Sequence, residues 1–127
     1  MRGASPAPAS APAAAMARED TVADQLFFGR SIPGGGTVSD DEWAAFLREV
    51  VTPRFPSGLS VWRAEGQWLD ERGTLEHEQA MVVELIHSAS ASMEAAIREI
   101  ADEYKRRFRQ EAVLRVTSPV HIRFYDD

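Results

Sequence analysis

Ala80-Met81-Val82-Val83-Glu84-Leu85-Ile86-His87 is the stretch on which the fold turns. Side chains alternate across a strand, so Met81, Val83 and Leu85 share one face while Ala80, Val82 and Ile86 share the other. Apolar residues on both faces mark a central strand with something covering each side. The strand is read as Thr74 to His87. Before it, Asp70-Glu-Arg-Gly73 carries turn chemistry, and Leu59 to Leu69 supplies the partner strand of a long hairpin.

Two helices flank this hairpin. Upstream, Ser39 and Glu42 form a capping box, and Val38 with Trp43 form its hydrophobic staple. Trp43, Phe46, Leu47, Val50 and Val51 then recur at i, i+3, i+4, i+7 and i+8, which predicts one buried helical stripe ending before Pro53. Downstream, Met93, Ala96, Ile97, Ile100, Tyr104 and Phe108 make the stripe of a second helix over Ser90–Arg109. Lys105, Arg106, Arg107 and Arg109 gather at its negative end and read as a solvated helix terminus.

Outermost lie two further strands. Gln25 to Arg30 is short and aromatic, and a loop with Pro33 and Gly34-Gly-Gly36 follows it. The last strand is read over Ala112–Val116 and Val120–Tyr125, broken at Pro119. The order β-α-β-β-α-β predicts a ferredoxin-like α+β sandwich, an antiparallel four-stranded sheet with two helices on one face. Right-handed crossovers place the first and third strands side by side in the middle, read as a parallel pair within that sheet. The opposite face is left apolar, and self-association through it as a homodimer is the expected cover.

The chain has 127 residues, and Ala/Pro-rich residues 1–24 read as a disordered tail, leaving a single domain over 25–127. Prolines at 6, 8 and 12 interrupt any signal-peptide apolar core. No run approaches the ~18 apolar residues of a membrane span. A net charge of −6 argues against a nucleic-acid partner. The absence of cysteine removes thiolate nucleophiles and zinc–thiolate sites.

Several motifs together, Leu26-Phe-Phe-Gly-Arg-Ser-Ile-Pro-Gly-Gly-Gly-Thr-Val-Ser39, Val51-Thr-Pro-Arg-Phe-Pro56, Gly66-Gln-Trp68 and Tyr104-Lys-Arg-Arg-Phe-Arg-Gln-Glu-Ala-Val-Leu114, resemble the bacterial domain-of-unknown-function family 3574 over about residues 25–124. The resemblance implies a bacterial source and carries no established activity or catalytic residue. Members of the family often have a secretion or lipoprotein signal. The chain as read is cytoplasmic, and extracytoplasmic if that signal is missing from it.

Candidate chemistry is sparse. The glycine loop before Ser39 has the outline of a phosphate cradle, but Asp40, Asp41 and Glu42 in the next turn repel an anion. His77 and His87 lie ten residues apart on one strand, about 33 Å, so they cannot share a metal. No cofactor or metal is expected. Glu84 is a carboxylate on an otherwise apolar face and demands a partner. Arg30 and Arg115 are expected to converge on it at one end of the open face, with His87 nearby, either as a structural ion pair or as the polar anchor of a ligand site. Trp62 on the same sheet either packs in the core or a dimer or lines that site. The expected function is a non-catalytic small-ligand-binding or accessory domain. An enzyme of the dimeric α+β barrel type, with Glu84, His87 or Tyr104 as acid–base groups, is the alternative, and a protein-interaction module is a third.

Overall fold

The computed structural model of the protein describes residues 21–126. The expected tail therefore lies outside the described residues up to position 20. Its last four positions do not: Thr21–Gly29 is strand β1, which begins four residues before the expected Gln25. Val22 is an ordinary strand former, and Asp24, an unfavourable strand residue in isolation, is held by partners in two other strands.

A glycine loop leads to helix α1, Asp40–Phe46, which runs directly into a π-helical turn over Leu47–Val51. The capping box is present in both directions: the Ser39 hydroxyl accepts from Glu42 N–H, and the Glu42 carboxylate accepts from Ser39 N–H. Replacing Ser39 by alanine leaves one of these donors unsatisfied and is expected to lower stability by about 1 kcal/mol, read as a shifted urea midpoint at unchanged slope. The sequence stripe predicts α-helix through Val51, but the last turn widens so that Thr52 N–H reaches Leu47 O at 2.9 Å. Pro53 has no N–H to continue the ladder, and the Arg54 guanidinium instead caps Val50 O at 2.9 Å.

Strands β2, Ser60–Leu69, and β3, Leu75–Ser88, form the expected hairpin. Its turn is built by Asp70, whose carboxylate accepts from Arg72 N–H and Thr74 N–H, with Gly73 at φ 81°. Helix α2 spans Ala91–Phe108 between a Ser90 cap and Arg109 in the left-handed conformation. Strand β4, Leu114–Pro119, closes the order. The expected continuation over Val120–Tyr125 is absent. Pro119 pairs with Val22, and one further bond, Val120 N–H to Thr21 O, uses up β1 as a partner.

The sheet order is β2-β3-β1-β4 with every neighbouring pair antiparallel, which corrects the parallel reading of the first and third strands. Each right-handed crossover returns its strand parallel to the one it left, but it skips a position. β1 therefore lies parallel to β2, its neighbour but one, and antiparallel to β3. The result is a ferredoxin-like α+β sandwich. Its core lies between sheet and helices, where Leu26, Phe28, Val83 and Leu85 meet Phe46, Val51, Ile100 and Tyr104. The other face carries Trp62, Ile86, Leu114 and Val116, all substantially exposed.

Candidate functional site

The pleat sends Asp24, Leu26 and Phe28 of β1, and Arg30 just beyond its end, toward the helices. Asp24 is fully buried there, opposite Leu85 of β3 and Thr117 of β4. Its Oδ1 accepts from Arg115 Nε at 2.8 Å and from the Thr117 hydroxyl. Its Oδ2 accepts from Arg115 Nη2 at 3.0 Å and meets His87 Nε2 at 2.6 Å. Arg115 continues outward to Glu94 of α2 through Nη1–Oε1 at 2.9 Å and Nη2–Oε2 at 2.7 Å. His87 Nδ1 faces Ser88 O at 2.7 Å, and its ring packs 5.5 Å from that of Phe55. Both histidine nitrogens thus face oxygen atoms, one of Ser88 and one of Asp24.

Burial is the largest single influence on Asp24 and pushes its carboxyl up. The hydrogen bonds from Arg115, Thr117 and His87 together outweigh it and hold the group below the ordinary carboxylate range. The bidentate bond from Arg115 lowers Glu94 in the same way, and the bonds to Glu94 and Asp24 hold Arg115 firmly protonated. The cluster ties β1, β3, β4 and the start of α2 together through charge-assisted hydrogen bonds.

At the other end of β1, buried Arg30 gives Nε and Nη2 to Val38 O at 3.0 and 2.7 Å and Nη2 to Asp40 at 2.8 Å. Arg63 reaches the same Asp40 oxygen at 3.0 Å. The two guanidinium groups, Arg30 first, hold Asp40 below its ordinary value. A hollow of about 500 Å³ opens beside this group, lined in part by Ser31, Thr37, His77 and Gln79. Tyr104 is buried in the core with its hydroxyl donating to Gly29 O at 2.6 Å, and burial pushes the phenol well up.

The expected convergence of Arg30 and Arg115 on Glu84, with His87 nearby, does not occur. His87 and Arg115 do meet, but on Asp24 and on the helix side. Arg30 lies six residues along β1 from Asp24, roughly 20 Å away. Glu84 and Trp62 occupy the opposite face, where Glu84 accepts from the Gln25 amide at 3.3 Å. Two causes account for the difference. The antiparallel register sets Glu84 against Gln25, so Arg30 is five residues away, and the pleat turns Arg30 and Arg115 to the other side. Asp24, the centre of the actual cluster, falls within the stretch whose composition reads as tail. Its signal was the phase it shares with Leu26 and Phe28, both core residues.

A second hollow, of about 530 Å³, is a groove between α2 and β4. Leu26, Ile97 and Val113 form its floor, and Arg98, Lys105 and Arg115 stand in its walls. Lys105 pairs with Asp102 at 3.4 Å and Arg115 with Asp24 and Glu94, whereas Arg98 has no partner among the described residues. No group of three or more His, Asp or Glu among the described residues is arranged to hold a metal ion. No helix among them is long and apolar enough to cross a membrane.

Among solved structures the fold is similar to a phage SAM lyase in complex with S-methyl-5'-thioadenosine, with TM-score 0.61 and 16% identity over 80% of this chain and 82% of that one. The same lyase in its apo state matches with TM-score 0.58 and 13% identity over 83% of this chain and 92% of that one. The periplasmic divalent cation tolerance protein CutA from Archaeoglobus fulgidus matches with TM-score 0.53 and 10% identity over 82% of this chain and 87% of that one. At such identities the likeness establishes the fold alone. No curated protein matches the sequence. The sequence profile described as "Protein of unknown function (DUF3574)" matches residues 23–124, from the second residue after Thr21 of β1 to beyond the end of β4, and the chain belongs to that family.

Proposed function

We propose that the protein is a non-catalytic domain that binds a small molecule or serves as an accessory subunit, and that it works as a homodimer. The groove between α2 and β4 carries this reading: it joins an apolar floor to an unpartnered cation, Arg98, with Arg115 beside it. That combination fits a small molecule with an apolar body and one anionic group. The residues best suited by type to acid–base catalysis are engaged elsewhere. His87 is buried with both nitrogens occupied, Tyr104 donates to a backbone carbonyl, and Glu84 lies with Gln25 on the other face. Of these sequence-derived candidates, Arg115 takes part in this reading directly, and His87 only through Asp24.

Anilinonaphthalene sulfonate, an aromatic body with one anionic group, tests the groove. Ala101 lies on its wall, so Ala101→Trp fills it and Arg98→Ala removes its free cation. Each variant is expected to weaken binding by about tenfold, the equivalent of one lost charge-assisted contact. Equal binding by wild type and both variants would remove the groove from consideration.

The alternative of an enzyme has one specific motive, the phage lyase with S-methyl-5'-thioadenosine bound on a similar fold. Titration with that compound, followed by amide shifts, separates the readings. Shifts confined to the groove and accompanied by turnover of a sulfonium precursor would favour catalysis over binding alone.

A further inference from the structure

β2, ten residues long, lies at one margin of the sheet, and its outer edge is unpaired among the described residues. The bond from Arg30 N–H to Gln79 O fixes the alternation on β3, whose odd-numbered residues turn their backbone groups toward β1 and even-numbered ones toward β2. With Ala64 opposite Ala80 and Trp62 opposite Val82, the even residues of β2 bond to β3. Val61, Arg63, Glu65, Gln67 and Leu69 therefore present N–H and C=O outward, and none has a backbone partner in another element among the described residues. A free edge of this length is a template for another strand.

We propose that a second copy of this chain pairs with that edge, antiparallel, about a two-fold axis at Ala64, making one continuous sheet across a homodimer. The proposal rests on the homodimer reading above and names its interface. Charge selects the register. An axis at Ala64 sets Arg63 opposite the partner's Glu65 and Glu65 opposite the partner's Arg63. The two neighbouring registers that preserve the outward bonding pattern centre on Arg63 or on Glu65, and each sets like charges face to face. Glu65 has no ion-pair partner within the chain among the described residues, and Arg63 uses only Nη2 on Asp40, so both are free to pair.

Shape selects the same register. Trp62 then lies opposite the partner's Gly66, and Ala64 meets the partner's Ala64 where strands approach to about 4.5 Å between Cα atoms. Glycine within a strand costs stability and marks close approach of another group. Nothing in the single chain requires it here: a Cβ at Gly66 would meet only Glu78 O, at an ordinary 3.7 Å, and its φ is not positive. An indole laid across it from a second copy supplies the reason. Length agrees too, because Ser60 falls opposite the partner's Trp68 and almost the whole strand is paired. The open face stays uncovered on both copies, unlike the expectation from sequence.

Solution mass by light scattering, with far-UV circular dichroism to verify folding, tests the interface on the full chain. Wild type is expected at twice the chain mass. Arg63→Glu and Glu65→Arg are each expected to raise the dimer Kd by about tenfold or more, and the double swap to restore it. Ala64→Cys, the only cysteine in an otherwise cysteine-free chain, is expected to oxidise to a covalent dimer, while Ser118→Cys on the opposite edge strand is not. A wild-type monomer at every concentration would overturn both the homodimer and this interface. A dimer indifferent to charge reversal and uncrosslinked at position 64 would overturn the interface and leave the homodimer standing.

Discussion

Asp24→Ala is expected to cost about 3–5 kcal/mol, the range for breaking a buried ion pair from one side. That is a large part of the roughly 5–15 kcal/mol that holds a small domain together. Removal strips Arg115 of two of its bonds and leaves it to Glu94 alone at the surface. It also leaves His87 buried with no carboxylate, and β4 loses both side-chain ties to the centre of the sheet. Urea unfolding gives the number, with Glu71→Ala at the hairpin turn as a control expected within about 0.5 kcal/mol of wild type. A loss below about 1 kcal/mol would mean that the cluster is not the clamp described here.

The same residue sets part of the acid limb. The Asp24 pKa is lower in the folded chain than in the unfolded one. Its contribution is therefore fully present above the unfolded value of about 3.9 and is lost as pH falls through the folded value. Glu94 and Asp40 are lowered as well and share that window. Wild type should accordingly lose stability steeply below about pH 4, and the alanine variant less steeply, since one titrating group has gone. Parallel acid limbs would contradict the assignment.

Element type was legible because it is local. The Ser39–Glu42 box, the 3.6-residue stripes and the Asp70–Gly73 turn each act within a few residues, and each appears where expected. The apolar residues on both faces of β3 placed it in the middle of the sheet, where it lies. Register is not local. The partner of Glu84 depended on strand direction, and the parallel reading displaced every polar contact drawn across β1 and β3. Asp24 was lost for a related reason: a lone aspartate in a short polar run reads as coil until the arginine 91 residues away is known to face it. The π turn at Leu47–Val51 was likewise invisible, since the α and π stripes differ only in how Val50 and Val51 are delivered to the core.

Phe46→Ala is expected to be as damaging by a different route, about 3–5 kcal/mol from lost burial and the cavity left behind. The ring is wholly buried at the junction of α1 and the π turn. Around it stand Tyr104 at 5.0 Å, Phe28 at 5.6 Å, Trp43 at 5.8 Å and Phe108 at 6.4 Å between centroids, mostly edge to face. This cluster fastens α1 and α2 to β1 at the end away from Asp24, with Arg107 laid 5.8 Å over the Phe46 ring from outside. Neighbouring rings are fixed by strand and helix backbones and cannot collapse into the space, so the cost should fall at the upper end of the range. Phe46→Leu restores most of the volume and should cost about 1–1.5 kcal/mol. The two sites share no partner, so Asp24→Ala and Phe46→Ala should add within about 0.5 kcal/mol in a background stable enough to carry both. Strong coupling between them would show that the sheet transmits strain along β1, and that clamp and aromatic core behave as one unit.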